Sequence, residues 1–170
     1  RDGPYKVTGP VRLIDHEEGL AERCALESTR IAQRSIMLRA VTRPITVDDG
    51  ERTYTVAPGA SVATLLPLLN TSAAPGLDRY DPDRWQRRRL RDEAALPARE
   101  LVTAFGHGSH TCPAQPFSLA AMSRTLTQLV DTFVVDPPPL APRPLAEQIG
   151  GVARSAEPCL LPYRRRSSVR

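Results

Sequence analysis

The feature that most constrains the fold of this chain is a glycine-containing loop that places a cysteine at the start of a predicted helix. The loop is the decapeptide Phe105-Gly106-His107-Gly108-Ser109-His110-Thr111-Cys112-Pro113-Ala114. Gly106 and Gly108 allow the backbone to turn back without the steric limits that a Cβ imposes. A helix N-terminus after Cys112 and a potentially cationic His110 before it both favour a thiolate. The pattern therefore predicts a cysteine placed for chemistry.

The same decapeptide resembles the cysteine-ligand signature of the haem-thiolate monooxygenases, the cytochrome P-450 superfamily. That signature is Phe, two spaced glycines, a basic residue, any residue and then Cys. His110 stands where Arg is more usual, and Ala114 where Gly is more usual. The resemblance implies that Cys112 is the axial ligand of a haem b iron, with Phe105 beside it and His110 as donor to a haem propionate. Arg43 resembles the second propionate partner, although an ordinary exposed arginine is equally compatible with its position.

A second signature lies upstream, where Glu27 and Arg30 are three residues apart and therefore neighbours on a helix surface. Glu27 falls in the same helical stripe as the apolar Leu20, which predicts a buried carboxylate that requires partners. Arg30 supplies a forked donor. The Pro-Asp-Arg-Trp segment at 82–85 resembles the family's Pro-x-Arg-aromatic segment. The resemblance implies a structural cluster in which Glu27, Arg30 and Arg84 join the helix to the chain ahead of the cysteine loop.

The chain is interpreted as one segment of a single domain. A helix is predicted at about 19–34, short strands at 35–70, a long ordered loop called the meander at 71–99, and the cysteine loop at 105–114. A helix at 113–133 and terminal strands at 145–165 complete the prediction. Residues 62–70 form an apolar run that is compatible with a buried strand or a short helix. The fold class expected is mainly α with short β-strands (α+β), the C-terminal part of the cytochrome P-450 fold, incomplete.

The helix after the cysteine loop carries a clear apolar stripe. Its members are Leu119, Met122, Leu126, Leu129, Val130 and Phe133. Recurrence at three- and four-residue spacing predicts that this face of the helix is buried. Cys24 and Cys159 are interpreted as small buried side chains, and Trp85 as core packing beside Arg84.

Composition narrows the class of protein. The chain has 170 residues, of which 41% are hydrophobic, and no apolar run is long enough to cross a membrane. Its three cysteines are widely separated and odd in number, which favours reduced thiols in a cytoplasm over a disulfide framework. The chain begins with Arg1 rather than Met, which suggests a processed or incomplete product. We therefore expect a soluble, cytoplasmic protein, and the family resemblance implies one of the soluble bacterial type.

The net charge of +4 and the isoelectric point of about 9.3 come almost entirely from arginine. The basic residues concentrate at 84–91 and 164–170. Because no nucleic-acid-binding scaffold accompanies them, nucleic acid is not expected as a partner. A solvated arginine face is one interpretation. The other is a docking patch for an acidic electron donor such as a ferredoxin or reductase, which the resemblance implies.

A zinc site built from His107, His110 and Cys112 is an alternative interpretation of the cysteine loop. The spacing is tighter than that of ordinary structural zinc sites, and no fourth Cys or His stands at a suitable distance. The haem interpretation is therefore preferred for Cys112.

The resemblance implies monooxygenation, the insertion of one oxygen atom of O2 into a small organic substrate. A haem-thiolate peroxygenase or isomerase, and a truncated non-catalytic remnant or interaction module, are the alternatives. The family's central helix with its proton-delivery residues has no counterpart here, so no catalytic residue is identifiable in this segment. We expect the isolated chain to bind haem weakly and to be inactive.

Overall fold

The computed structural model describes residues 19–85, 102–106, 108–138 and 142–167. Several sequence predictions fall outside these ranges. They concern residues 86–99 of the meander, the arginines between 87 and 91, and His107.

The described chain combines three α-helices with six short strands. The helices are α1 (Leu20–Ile31), α2 (Leu66–Ser72) and α3 (Gln115–Thr132). The strands are β1 (Ile36–Ala40), β2 (Ile45–Asp48), β3 (Thr53–Val56), β4 (Ser61–Leu65), β5 (Phe133–Val135) and β6 (Tyr163–Arg165). Single turns of 3₁₀-helix lie at Pro82–Trp85 and Gly108–His110. This mixture confirms the predicted fold class.

The strands form antiparallel pairs rather than one continuous sheet. Among the described residues, β1 pairs with β4, β2 with β3, and β5 with β6. The register places Ile36 opposite Leu65, Ile45 opposite Val56, and Phe133 opposite Arg165. The partner of β6 is thus β5, the strand directly after α3. The sequence pattern instead predicts terminal strands within 145–165 that pair with each other.

Helix α1 ends at Ile31, three residues before the end expected from the sequence. The backbone after α1 instead pairs with a C-terminal segment at 150–153. Ala153 N–H donates to Ala32 O at 2.6 Å, and Gly150 N–H donates to Arg34 O at 2.8 Å. Gln33 also forms an isolated bridge with Val152. The C-terminal segment therefore lies along the exit of the helix that carries Glu27.

The apolar run at 62–70 contains both of the structures that its pattern allowed. Its first part is β4, and Leu66 then begins α2. Pro67 lies in the first turn of α2, where a missing N–H leaves no intrahelical hydrogen bond unmade. The change from strand to helix brings Asn70 to the buried side of α2.

The apolar stripe of α3 is only partly buried, so the expectation that this whole face is enclosed is wrong. Leu119 is buried, whereas Leu126, Leu129 and Val130 are 38%, 45% and 53% exposed. Helix α1 packs against α3 but has 12 residues against 18. At 1.5 Å per residue α1 is about 9 Å shorter, so it leaves part of the stripe uncovered.

A small core lies between the start of the meander and the segment that leads into the cysteine loop. Ala74, Leu77 and Val102 form it, and Trp85 packs against them. Cys24 is half-buried and Cys159 is exposed, so the prediction of a buried Cys159 is wrong. None of the helices in the described ranges has the length and apolarity that a membrane span requires.

Candidate functional site

A buried ion cluster at Glu27 holds α1 against the meander. Glu27 and Arg30 have no solvent exposure. The guanidinium of Arg30 is bidentate, donating from Nε to Oε2 of Glu27 at 2.8 Å and from Nη2 to Oε1 at 2.7 Å. Parallel charge-assisted bonds of this kind are the strongest side-chain hydrogen bonds available to a protein.

The remaining lone pairs of Glu27 are taken by the meander. Arg84 Nε donates to Oε1 at 2.9 Å, the Asp81 backbone N–H donates to Oε1 at 3.0 Å, and Trp85 Nε1 donates to Oε2 at 2.9 Å. The structure thus brings together Glu27, Arg30 and Arg84, which we call the glutamate cluster. Trp85 packs in the core as predicted and adds a donor that the sequence did not indicate.

Two opposing effects act on the pKa of Glu27. Burial raises the pKa, while hydrogen bonds from Arg30, from the Asp81 backbone and from the Trp85 indole lower it. The donors together outweigh burial, so the pKa of Glu27 lies below its ordinary value. Glu27 is therefore ionised at neutral pH, and its charge is matched within the fold.

Arg30 uses its other hydrogens on backbone carbonyls. Its Nη1 donates to Leu77 O at 2.7 Å and to Asn70 O, and its Nη2 donates to Arg79 O at 3.2 Å. A single buried guanidinium therefore fixes α1, the end of α2 and the start of the meander together. Buried charges are tolerated only when such partners are complete.

Asn70 is a functional candidate that the motif reading missed. It is fully buried, and its Nδ2 donates to Arg30 O at 3.0 Å and to Thr103 O at 2.9 Å. Its Oδ1 accepts the Thr103 backbone N–H at 3.0 Å. The sequence signal was a single amide at the end of an apolar run, which is where a buried polar group with specific partners is expected.

Gln33 holds Ala104, the residue that follows Thr103 in the chain. Its Nε2 donates to Ala104 O at 3.2 Å, while its Oε1 accepts the backbone N–H groups of Arg34 and Ser35 at 3.0 and 3.1 Å. Residues 102–104, which we call the leading segment, are thereby bonded to α2 through Asn70 and to the chain just after α1 through Gln33.

The cysteine loop closes on itself through its backbone. Cys112 N–H donates to Phe105 O at 2.8 Å, and Gln115 N–H donates to Cys112 O at 3.1 Å. Gly106 has a φ of +76°, and a Cβ there would lie 3.3 Å from His110 O. Glycine is needed at this position both for the left-handed backbone and for the close approach.

The predicted site residues are only partly assembled among the described residues. Phe105 and Cys112 are joined by the loop hydrogen bond, and both are half-buried. His110 is exposed at the end of the 3₁₀ turn, and Arg43 is exposed on the connection between β1 and β2. No contact seen in the described ranges ties Arg43 to the cysteine loop.

The residues around Cys112 suit a thiolate-bound macrocycle. Cys112 is a free, half-buried thiol, and Phe117 in the first turn of α3 is 77% exposed. A cysteine sulfur is a suitable ligand, and an exposed aromatic side chain a suitable apolar surface, for an iron whose other ligands come from a flat, apolar ring. The described residues contain no group of three His, Cys, Asp or Glu side chains that would hold a metal ion. His107 of the alternative zinc site lies outside them.

Comparison with known proteins identifies the family. The sequence profile described as Cytochrome P450 matches residues 20–162. The chain belongs to this family. A haem cofactor follows from cytochrome P450 membership, in agreement with the donor chemistry of Cys112.

Curated relatives match the chain over a limited part of their own length. Human 24-hydroxycholesterol 7-alpha-hydroxylase is 24% identical over 86% of this chain and 30% of its own. Sterol 14-demethylase of Arabidopsis thaliana is 31% identical over 72% of this chain and 26% of its own. The chain therefore spans about 30% or less of the length of these cytochrome P450 relatives.

Solved structures agree on the fold. The haem domain of cytochrome P450DA superposes with a TM-score of 0.66 at 24% identity, covering 86% of this chain and 31% of that one. A variant of the same haem domain gives a TM-score of 0.65 at 21% identity. The described residues are thus arranged as a partial cytochrome P450 fold.

Proposed function

We propose that the chain forms the cysteine-bearing part of a haem-thiolate monooxygenase, corresponding to the C-terminal part of the family's domain. The observation that carries this proposal is the closed cysteine loop, in which Cys112 presents a free thiol while its backbone N–H is held by Phe105 O at 2.8 Å. Family membership implies the cofactor, and Cys112 of the loop would hold its iron.

Three side chains of the loop, together with Arg43, have different proposed roles in binding haem b. Cys112 coordinates the iron as a thiolate. Phe105 is proposed to exclude water beside the sulfur, because it is a half-buried apolar residue whose backbone carbonyl accepts the Cys112 N–H. His110 and Arg43 are exposed and free to donate to the propionates. The closure of the loop holds the backbone of Cys112 in place, so that binding the cofactor orders little additional chain.

The reaction proposed is the insertion of one oxygen atom into a small organic substrate. When bound, haem would supply the chemistry that activates O2: with two electrons from a donor such as a ferredoxin or reductase and two protons, one oxygen atom enters the substrate and the other leaves as water. Since the chain spans about 30% of its curated relatives, the groups that bind substrate and deliver protons are proposed to lie beyond these residues. Nucleic acid and membrane are not proposed as partners.

The exposed part of the α3 stripe supports the proposal that this chain works with further structure. Leu126, Leu129 and Val130 form an apolar face that isolated domains rarely leave open. The isolated chain is accordingly proposed to bind haem weakly and to be inactive. Bacterial origin and cytoplasmic location stay predictions from the sequence, and the curated relatives named above come from a human and a plant.

The test is a titration of the full chain with haem, followed by reduction and addition of carbon monoxide. We expect the red-shifted Soret band of a thiolate-ligated complex from the unsubstituted chain. Cys112→Ser should abolish this band. Cys159→Ser is the matched control, because Cys159 is an exposed free cysteine outside the loop, and it should leave the band intact. A band that persists in Cys112→Ser, or that never forms at saturating haem, would contradict the proposal.

A further inference from the structure

We propose that Asn70 is a positioning residue that sets the register of the leading segment and, through it, the place of Cys112. The proposal deepens the proposed function and rests on it only where iron ligation by Cys112 is concerned. The hydrogen bonds themselves involve residues of this chain alone.

The contact between Asn70 and Thr103 is of a kind that fixes register. The Asn70 amide accepts the Thr103 N–H at 3.0 Å and donates to the Thr103 carbonyl at 2.9 Å. A side chain that bonds both backbone groups of one residue imitates a paired strand residue, and a shift by one residue breaks both bonds. Asn70 has no exposure and Thr103 has 7%, so water does not replace these bonds.

The position of Thr103 is transmitted to Cys112 over a very short stretch of backbone. Ala104 follows Thr103 and is held by Gln33, and Phe105 comes next. The Phe105 carbonyl accepts the Cys112 N–H. Because consecutive Cα atoms are a fixed 3.8 Å apart, displacement of Thr103 moves the carbonyl on which the cysteine loop closes.

Asn70 is in turn bonded reciprocally to the glutamate cluster. Its Nδ2 donates to Arg30 O at 3.0 Å, and its own backbone carbonyl accepts from Arg30 Nη1. The cluster and the cysteine loop are therefore connected through one buried amide. A side chain of equal size with neither donors nor an acceptor would leave the Thr103 N–H, the Thr103 carbonyl and the Arg30 carbonyl without this partner.

The first test measures amide hydrogen exchange in the full chain without haem. Asn70→Leu keeps the side-chain volume and removes the three hydrogen bonds of the side-chain amide, so the Thr103 amide should exchange about tenfold faster. Amides of α3 should change less than about twofold, which separates a local effect from general unfolding. Ser72→Ala is the control, because Ser72 is exposed on the same helix and bonds only Leu68 O. It should leave the Thr103 rate unchanged.

A second variant keeps the test decisive if Asn70→Leu does not fold. Asn70→Asp retains an acceptor for the Thr103 N–H and removes both donors, so that amide should exchange only a few-fold faster. Unchanged exchange at Thr103 in the folded variant, or equal acceleration at Thr103 and throughout α3, would overturn the proposal.

The second test concerns the thiolate and uses haem-loaded chain. The reduced carbon-monoxide complex of Asn70→Leu should show a smaller fraction of the red-shifted thiolate band than Ser72→Ala at equal haem occupancy. Equal fractions would contradict transmission from Asn70 to Cys112. Absence of the band from the unsubstituted chain would instead count against the proposed function, while the hydrogen-exchange result still decides the role of Asn70.

Discussion

The glutamate cluster and the apolar stripe of α3 lie in contacting parts of one fold but differ in how completely they are enclosed. Glu27 and Arg30 have no exposure, and every described contact that satisfies them comes from this chain. Along α3, by contrast, Leu119 is buried while Val130 is 53% exposed. Glu27 and Arg30 are thus fully enclosed, whereas part of the apolar stripe of α3 is exposed to solvent.

This difference follows from the physics of the two kinds of burial. A buried ion pair is tolerated only when its hydrogen bonds are made with good geometry, so its partners must be specific residues at specific positions. Apolar burial is non-directional, and any apolar surface of suitable shape covers it. The hydrogen bonds of the glutamate cluster therefore fix the positions of the residues that they join. The exposed part of the apolar stripe shows only where further structure can pack.

Removing the charge of Glu27 is the strongest way to break the enclosed region. Glu27→Gln keeps the shape and leaves the buried guanidinium of Arg30 without its counter-charge, so we expect a loss of about 3–5 kcal/mol in unfolding free energy. Glu157→Gln is the control, because Glu157 pairs with Arg143 at 2.9 Å on the surface, at 73% and 80% exposure. Its cost should be below about 1 kcal/mol. Similar costs in urea denaturation would show that enclosure does not matter.

Truncations along α3 sharpen the boundary between the covered and open parts of one stripe. Leu119→Ala removes a buried side chain and should cost about 2–3 kcal/mol, the lower part of the range for buried leucine. Leu129→Ala, at a position that is 45% exposed, should cost less than about 1 kcal/mol. Both are measured by urea denaturation of the full chain. Equal losses would mean that Leu129 is enclosed in solution.

A glycine comparison tests whether the enclosed region extends into the cysteine loop. Gly106→Ala adds a Cβ at a φ of +76° and 3.3 Å from His110 O, so it should cost about 1–2 kcal/mol from the backbone and more from crowding. Gly59→Ala meets the same backbone penalty at +88° with nothing within 4 Å. The free energy of unfolding should therefore fall further for Gly106→Ala. A larger loss for Gly59→Ala would contradict a tightly closed cysteine loop.

Local spacing predicts one part of this site well. Three residues on a helix place Glu27 beside Arg30, and their charged groups lie 2.7 Å apart. The segment at 82–85 supplies Arg84 at 2.9 Å from the same carboxylate. The contact with Arg30 follows from helix geometry alone, whereas the contact with Arg84, 57 residues away in the chain, is implied by the family resemblance of the segment at 82–85.

The rest depends on contacts that no local rule contains. Asn70 and Thr103 are 33 residues apart, and Gln33 and Ala104 are 71 apart. Their pairing is decided by the tertiary packing of α1, α2 and the leading segment. The period of the α3 stripe likewise predicts which face is apolar but not what covers it, which is why Leu129 was expected to be buried.

Acid titration gives the smallest effect and the finest test of the enclosed region. The folded-state pKa of Glu27 lies below its ordinary value, so its stabilising contribution is complete above about pH 4.3 and is lost as the pH falls through the folded-state pKa. Trp85→Phe removes the indole donor to Oε2 and raises that pKa toward its ordinary value. The free-energy difference between the unsubstituted chain and Trp85→Phe, to which this hydrogen bond contributes about 1 kcal/mol at pH 7, should then narrow as the pH falls through the folded-state pKa of Glu27.

Tyr80→Phe is the control for this titration. The Tyr80 hydroxyl donates to the backbone carbonyl of Cys24 at 3.4 Å rather than to a carboxylate. Its loss should therefore lower stability by the same small amount at every acidic pH. If the gap for Trp85→Phe were as constant as that for Tyr80→Phe, the indole would act through packing alone, and the ionised state of Glu27 would owe nothing to Trp85. A narrowing gap confined to Trp85→Phe would instead mean that the donors enclosing Glu27 set its protonation as well as its position.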